Sequence, residues 1–317
     1  MKKNISNIPS SLFGIVMSLS GLSIAWKFEE LAFNYNLFMS NIFFILSVIS
    51  MIVLSICYLI KINIAPENFK TEFRHPTMSN FFGTIPISFL LLSAIFFEKN
   101  YLAAVILWFV GTTLIFLIAY KSFYTWLNSS QPLTNLNPAW MIPIVGTLDV
   151  GVVGFKLEFY NISLFFTCIG ILFGIIFFIL IINRIIFIES IPFKLQPSFF
   201  ILTAPFTVGL VSYLELMHKF DFFSYVLLNF SIFLLLVIIG KILLIKECCP
   251  FMLTWWAVGF PIAAFANATQ KAYFFHQTLF YAITARISLI LATITILFLL
   301  FITIYKIFKG ELAKLTT

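Results

Sequence analysis

The sequence predicts an all-α integral membrane protein of ten transmembrane helices, because of its composition, its long apolar stretches and the spacing of its prolines. Of the 317 residues, 62% are hydrophobic and only 10% are charged, and the mean hydropathy is +1.07. Soluble domains carry about 25% charged residues, so this composition excludes an ordinary water-soluble fold. We therefore expect residues 1–317 to form a single transmembrane domain.

The apolar stretches are long enough to cross a bilayer, since a tilted spanning helix takes about 17–25 residues. Ten of them are bounded by charged or turn-forming residues: 11–26, 38–60, 81–97, 101–120, 139–155, 162–183, 198–214, 222–245, 250–270 and 280–305. No small-residue cleavage site follows the first stretch, so we interpret it as a retained helix and not as a signal peptide. Paired in order, the stretches form five helical hairpin repeats.

Basic residues predict the orientation of these helices. If the N-terminus is cytoplasmic, the outer segments hold six of the 19 Lys and Arg residues: Lys27, Lys99, Lys156, Lys219, Lys271 and Arg286. This bias predicts a multi-pass protein of the cell (inner) membrane with both termini in the cytoplasm. The net charge of +7 then records topology, so membrane lipid is an expected partner and nucleic acid is not.

Prolines occur only in alternate stretches. Pro86, Pro143, Pro205 and Pro261 lie in the third, fifth, seventh and ninth stretches, and no even-numbered stretch contains one. Proline frees a backbone carbonyl that lipid cannot satisfy, so a kinked helix belongs inside the protein or along a cavity. We predict five inner, kinked pore helices ringed by five outer, lipid-facing helices. The alternative is that prolines are simply common in membrane helices.

Small and polar side chains on the odd-numbered stretches are candidates to line a pore, although close helix packing would also explain them. These candidates are Gly14, Ser18, Gly21, Thr84, Ser88, Thr147, Gly151, Ala264, Asn267 and Lys271.

The ninth stretch carries the most specific pattern. Phe260, Ala264, Asn267 and Lys271 follow one face of a helix, at i, i+4, i+7 and i+11. In an anion pore the ring would block a narrow conduit, the amide would replace hydration and the ammonium would attract anions. Core packing is the alternative for Phe260 in a chain with 42 phenylalanines.

Asp149 is the one carboxylate well inside a predicted stretch. A charge at this depth costs about 2.5–3.5 kcal/mol on insertion scales, so Asp149 is expected to be paired, protonated or functional. Lys156, Lys271 and Arg286 are the candidate partners.

The sequence contains no motif typical of an enzyme. The three histidines lie in loops or at the ends of stretches, and neither HExxH nor GxxxxGK[ST] occurs. The four cysteines show no metal-binding spacing. We therefore predict no catalytic residue, no metal site and no cofactor.

Five segments resemble the tellurite-resistance and dicarboxylate-transporter family, which includes bacterial TehA and the slow anion channels of plant guard cells. They are RHP (74–76), TIPIS (84–88), NPAWMIPIVG (137–146), TAPFTVG (203–209) and WWAVGFPIAAFANATQKAY (255–273). The resemblance implies a homotrimer with a pore of five inner helices in each protomer. It also implies passage of small anions such as chloride and nitrate, gated by a phenylalanine that corresponds to Phe260.

Two residues depart from the family pattern. Val16 stands where relatives often carry a proline, which predicts a weaker first kink, and Asp149 places a negative charge near the expected pore. We therefore expect an anion channel. The alternative is a proton-linked exporter of a dicarboxylate, sulfite or an oxyanion such as tellurite.

Overall fold

The computed structural model describes residues 6–188, 191–244 and 251–309, and within these ranges it is all-helical, without a β-strand. Its eleven α-helices are α1 (Gly14–Ala32), α2 (Phe38–Ile64), α3 (Pro66–Arg74), α4 (Thr84–Phe96), α5 (Tyr101–Asn128), α6 (Ile142–Gly154), α7 (Tyr160–Phe187), α8 (Ala204–Met217), α9 (Phe222–Leu244), α10 (Trp256–His276) and α11 (Leu279–Phe308). Each of the ten predicted stretches falls largely on one of these helices or on the 3₁₀ turn before it.

Apart from the nine-residue helix α3, helices of two length classes alternate along the chain. The short helices, α1, α4, α6, α8 and α10, have 13–21 residues. The long helices, α2, α5, α7, α9 and α11, have 23–30 residues. In the described part of the chain, eight helices are long and apolar enough to cross a membrane, and Pro138–Gly154 is a shorter apolar helix. The prediction of an all-α, multi-pass membrane protein is confirmed.

A 3₁₀ segment leads directly into each short helix. These segments are Ser10–Phe13, Met78–Gly83, Pro138–Met141, Phe193–Thr203 and Leu253–Trp255. Helix α1 also begins after a 3₁₀ segment, although it contains no proline. Valine in place of proline at position 16 therefore does not remove the 3₁₀ segment before this helix.

Three of the four prolines lie at the start of an α-helix and not in its interior. Pro86, Pro143 and Pro205 lie within the first three residues of α4, α6 and α8, where proline is tolerated because backbone N–H groups lack α-helical partners. Each lies just after the junction of a 3₁₀ segment with an α-helix, and a kink at these prolines stays a prediction. Pro261 alone of the four lies in a helix interior, that of α10.

The short helices are far more buried than the long ones. In the most apolar stretches of the spans Ser10–Ala32, Met78–Phe96 and Phe193–Met217, 72–89% of residues are buried, against 28–39% in the long helices. Each short helix packs on the long helix that follows it and on the short helices nearest to it in the chain, and α10 also packs on α1. The long helices therefore expose the broad apolar faces that lipid requires.

Asp149 is not the one buried carboxylate. Helices α1 and α8 extend to Ala32 and Met217, beyond the predicted ends at 26 and 214, and they carry Glu29, Glu30 and Glu215, each at most 7% exposed. The predicted ends at residues 26 and 214 are too early, because both helices continue past the first charged residue that follows each apolar stretch.

Two of these glutamates join helices. The Glu30 carboxylate accepts the backbone N–H of Met39 at 2.7 Å, and so caps the N-terminus of α2. Glu29 accepts hydrogen bonds from the amide of Gln270 at 2.9 Å and from the guanidinium of Arg286 at 3.1 Å. These contacts tie α1 to α2, α10 and α11.

A second buried cluster holds the N-terminal 3₁₀ segment. Glu72 on α3 pairs with Lys61 and accepts hydrogen bonds from the Tyr58 hydroxyl at 3.1 Å and the Ser10 N–H at 2.6 Å. Lys61 also donates to the Ile8 carbonyl at 2.7 Å. The nine-residue amphipathic helix α3 is thereby anchored beside the beginning of α1.

Candidate functional site

Two cavities lie along the short helices, and all five of these helices contribute to the wall of each. The small cavity, of about 30 Å³, is lined near the beginnings of the helices. The large cavity, of about 100 Å³, is lined toward their ends. A water molecule needs about 10–15 Å³ by this measure, so both cavities have room for water.

The wall of the small cavity is almost wholly apolar. No charged side chain contributes to it, and the Thr84 hydroxyl lies within hydrogen-bonding distance of the carbonyl oxygens of Ser10 and Phe81, at 2.9 and 2.7 Å. The lining residues are Ser11, Gly14, Met17, Phe81, Thr84, Ile87, Ile142, Val145, Ile201, Ala204, Trp256, Ala257, Phe260 and Pro261. Such a wall offers few groups to replace the hydration of an ion.

The wall of the large cavity is charged. Near the C-terminal end of each short helix, one charged side chain reaches this wall, and the signs alternate along the chain: Lys27, Glu98, Lys156, Glu215 and Lys271. Asp149 also lines it. Among the described residues, no three His, Cys, Asp or Glu side chains cluster closely enough to hold a metal ion.

Glu215 lies between two of these lysines. Its Oε1 atom is 3.1 Å from Lys156 Nζ, and the same oxygen also pairs with Lys271 Nζ. The side chains of Glu215 and Lys271 are 8% and 12% exposed, whereas that of Lys156 is 38% exposed. Two ammonium groups around one carboxylate leave this triad with a surplus positive charge. Lys27 pairs separately with Glu98.

Asp149 lies in the same wall and has no ion-pair partner among the residues that the structure describes. Its side chain is buried and its Oδ2 atom has no hydrogen-bond partner. The predicted pairings of Asp149 with Lys156, Lys271 or Arg286 are wrong. Lys156 and Lys271 pair with Glu215, whereas Arg286 pairs with Glu29.

Phe260 is the side chain that the two cavities share. It is 6% exposed and is the one described residue that lines both cavities. Its ring packs over Gly21, where an added Cβ atom would lie 3.8 Å from Phe260 Cδ2. Pro261, the next residue, lines the small cavity.

The other predicted pore residues divide into two groups, a first that lines a cavity and a second that does not. In the first group, Gly14 and Thr84 line the small cavity, and Ala264, Asn267 and Lys271 line the large one. The remaining candidates line neither cavity: Ser18, Gly21, Ser88, Thr147 and Gly151.

Local contacts account for two residues of the second group, Gly151 and Ser18. A Cβ atom on Gly151 would lie 2.1 Å from the Thr167 hydroxyl and 2.2 Å from that of Ser212, so Gly151 allows α6 to approach α7 and α8. The Ser18 hydroxyl donates to the Gly14 carbonyl at 2.6 Å, within α1.

Asn267 does not present a donor to an anion. Its amide nitrogen donates to the carbonyls of Gly21 at 2.9 Å and Ala263 at 3.0 Å, which uses both amide hydrogens. The expectation that this amide replaces anion hydration is therefore not met in this structure.

Among the charged residues of the wall, the sequence predicts Lys271 as a pore residue, Asp149 as a buried charge and Lys156 as a candidate partner of Asp149, but it assigns no site role to Lys27, Glu98 or Glu215. The signal that would have found the others is positional. Each odd-numbered stretch ends with a charged residue at the same end of the bundle, and their signs alternate along the chain.

Comparison with known proteins adds an independent observation. The family model "Voltage-dependent anion channel" matches residues 7–304. The S-type anion channel SLAH2 of Arabidopsis thaliana is 27% identical over 272 residues, which are 83% of this chain and 52% of SLAH2. This chain thus spans about half the length of that plant relative.

Two microbial relatives match along most of their length. The tellurite resistance protein TehA homolog of Haemophilus influenzae is 24% identical over 308 residues, 96% of this chain and 92% of that protein. An uncharacterized transporter of Methanocaldococcus jannaschii is 24% identical over 299 residues, 86% of this chain and 87% of its own. Because the family model covers nearly the whole chain, the protein belongs to the voltage-dependent anion channel family, a family of channels and not of enzymes, and its similarity to TehA and the plant channels is confirmed.

Proposed function

We propose that this protein is an anion channel with one pore per protomer, running from the large cavity past Phe260 to the small one. The observation that carries the proposal is that the same five short helices line both cavities, with Phe260 between them. In this arrangement the short helices form the inner ring, the long helices form the outer, lipid-facing ring, and the five hairpins make one channel domain.

Small anions such as chloride and nitrate are the proposed permeant ions. Membership of an anion channel family supports anions in general. The surplus positive charge of the Glu215 triad supports them at the large cavity, because a cleft lined by one sign of charge concentrates the opposite ion. A volume of about 100 Å³ suits a small anion with a few waters.

Phe260 is the proposed gate. Its ring lines both the charged cavity and the apolar one. An ion stripped of water in an apolar constriction meets a large barrier, so a ring in this place stops conduction. Displacing the ring would join the two cavities.

We further propose a homotrimer in the cell membrane with both termini in the cytoplasm. Each protomer lines its cavities with its own helices, so a trimer would carry three separate pores. The excess of basic residues on the N-terminal side supports the orientation. Native mass spectrometry of the detergent-solubilised protein tests the assembly, and a monomer or dimer would contradict it.

Asp149 supports a second candidate function, a proton-linked exporter of a dicarboxylate, sulfite or an oxyanion such as tellurite. A buried carboxyl with an unpartnered oxygen in the wall of the conduit is a group that can carry a proton.

One experiment separates the two functions. The purified protein is reconstituted in liposomes, and uptake of chloride, nitrate, sulfite or a dicarboxylate is driven either by a potassium diffusion potential or by a pH gradient. Uptake that follows the potential alone supports the channel. Uptake that requires the pH gradient supports the exporter, and absence of uptake under both conditions contradicts both functions.

A further inference from the structure

The triad of Lys156, Glu215 and Lys271 has an unusual geometry for a structural ion pair. Both ammonium groups converge on one atom, Oε1 of Glu215. Desolvation of an ion pair is best offset when each charge finds one opposite charge and further hydrogen bonds. Here a second lysine is added to a pair that is already neutral, at the wall of a cavity with room for an ion.

We infer that Lys156 and Lys271 form a binding site for a small monovalent anion, and that the Glu215 carboxylate occupies this site in the present structure as a tethered competitor. The inference rests on the proposed function and adds the site's residues and its regulation. An anion from the large cavity displaces Glu215 from one or both lysines.

The geometry indicates the class of ligand. Two donors that converge on one oxygen atom suit a halide ion or a single oxygen of a short monocarboxylate. An extended dianion would need donors on both of its ends. The site and the Phe260 ring lie in the wall of the same cavity, separated by about 16 Å of helical rise between Phe260 and Lys271, so an anion held there is in the cavity that leads to the proposed gate.

The surroundings of the triad favour exchange over a permanent pair. Lys156 is 38% exposed and can follow an anion toward the cavity, whereas Lys271 is nearly buried and packs 5.5 Å from the Phe28 ring. Glu215 is two residues from the end of α8. Its side chain is held in place by these two lysines alone among the described hydrogen bonds and salt bridges.

The test is Glu215→Gln, which removes the competing charge and keeps the shape of the side chain. The concentration of chloride that half-saturates the current should fall by at least about tenfold, because a negative charge beside the site is lost. The same variant should show a larger rise in melting temperature on addition of sodium chloride or sodium formate, with sodium gluconate as the reference salt.

Glu98→Gln is the matched control. It removes the same charge from the same wall, but Glu98 is 60% exposed, and Lys27 is its one ion-pair partner among the described residues. A small change in Glu98→Gln beside a large one in Glu215→Gln supports the site. Equal shifts in the two variants would mean a general field effect and would overturn it, as would an unchanged half-saturating concentration in folded Glu215→Gln.

A second variant covers the case in which Glu215→Gln does not fold. Lys156→Gln leaves the buried pair of Lys271 and Glu215 neutral, so the half-saturating concentration should rise, and no change would overturn the inference. The melting experiment requires no transport. Anion binding without any flux would therefore contradict the proposed channel function and support the site. Flux without the expected shifts in half-saturating concentration and melting temperature would contradict the site and leave the channel function standing.

Discussion

The Phe260 ring packs over Gly21, within van der Waals contact of the place where any larger residue would carry its Cβ atom. A Cβ atom on Gly21 would lie 3.8 Å from Phe260 Cδ2 and 3.0 Å from the Cβ atom of Ala263. The Gly21 carbonyl also accepts the Asn267 amide at 2.9 Å. The position of α1 against α10 therefore determines where the ring lies between the two cavities.

Gly21→Ala should destabilise the protein by about 1–3 kcal/mol, since the new methyl group crowds Ala263 and overpacks the contact between α1 and α10. Gly240→Ala on α9 is the control, because an added Cβ atom there has no neighbour within 4 Å. It should leave the melting temperature unchanged or raise it, as alanine favours a helix over glycine. Equal effects of the two changes would contradict the close approach.

Asp149→Asn tests whether Asp149 titrates in the wall of the large cavity, which it shares with Lys156, Glu215 and Lys271. An ionised Asp149 would repel anions, so we expect flux of the unmodified protein to fall as pH rises through the interval in which Asp149 loses its proton, and flux of Asp149→Asn to stay level. Flux measured in liposomes with symmetric pH checks this.

Asp221→Asn is the control for that experiment. Hydrogen bonds from the Tyr213 hydroxyl and from Ser224 hold the pKa of Asp221 below its usual range, so Asp221 stays ionised over this interval. Its replacement should leave the pH profile unchanged. A profile of Asp149→Asn identical to that of the unmodified protein would show that Asp149 does not control the flux.

Glu72→Gln should lower thermal stability strongly. It leaves the Lys61 ammonium, which is 4% exposed, without its carboxylate, and breaking one side of a buried pair costs about 3–5 kcal/mol. Glu67→Gln, on the same helix, is the control. Glu67 is exposed, and although the hydrogen bond and charge of Lys70 lower its pKa, such a surface pair contributes little. Similar losses of melting temperature in both variants would refute the role of the buried cluster.

Cysteine labelling tests the arrangement of short and long helices. In a protein without its native cysteines, Ala264→Cys in the large cavity should react with a small, water-soluble thiol reagent in the membrane. Ile176→Cys on the exposed face of α7 should react only with a lipid-phase reagent. Reaction of both with the water-soluble reagent would contradict an inner ring around a wet pore.

The all-α, multi-pass membrane class could be predicted because the length of an apolar stretch is a local property of the sequence. The buried glutamates near the helix ends could not be predicted. A stretch defined by hydropathy ends at the first charged residue, even when the helix continues to Ala32 or Met217. The contact of Glu29 with Arg286 joins residues 257 positions apart, and one sequence carries no signal for it.

Spacing along α10 predicted a stripe but not the environment of each member. Phe260, Ala264, Asn267 and Lys271 do reach cavity walls. Sequence periodicity could not show that the Asn267 amide is used by two carbonyls or that Lys271 is paired, because those partners come from other helices or from the backbone.

The most direct test of the account compares anion current per protein in Phe260→Ala and Phe265→Ala. Phe265 lies on the same helix and is equally buried, at 5% exposed, but it lines neither cavity. Truncating a core phenylalanine costs about 3–5 kcal/mol, so both variants should melt at a lower temperature. Only Phe260→Ala should raise the current strongly, because only that ring separates the two cavities. A Phe260→Ala protein that is destabilised and carries an unchanged current would contradict the gate.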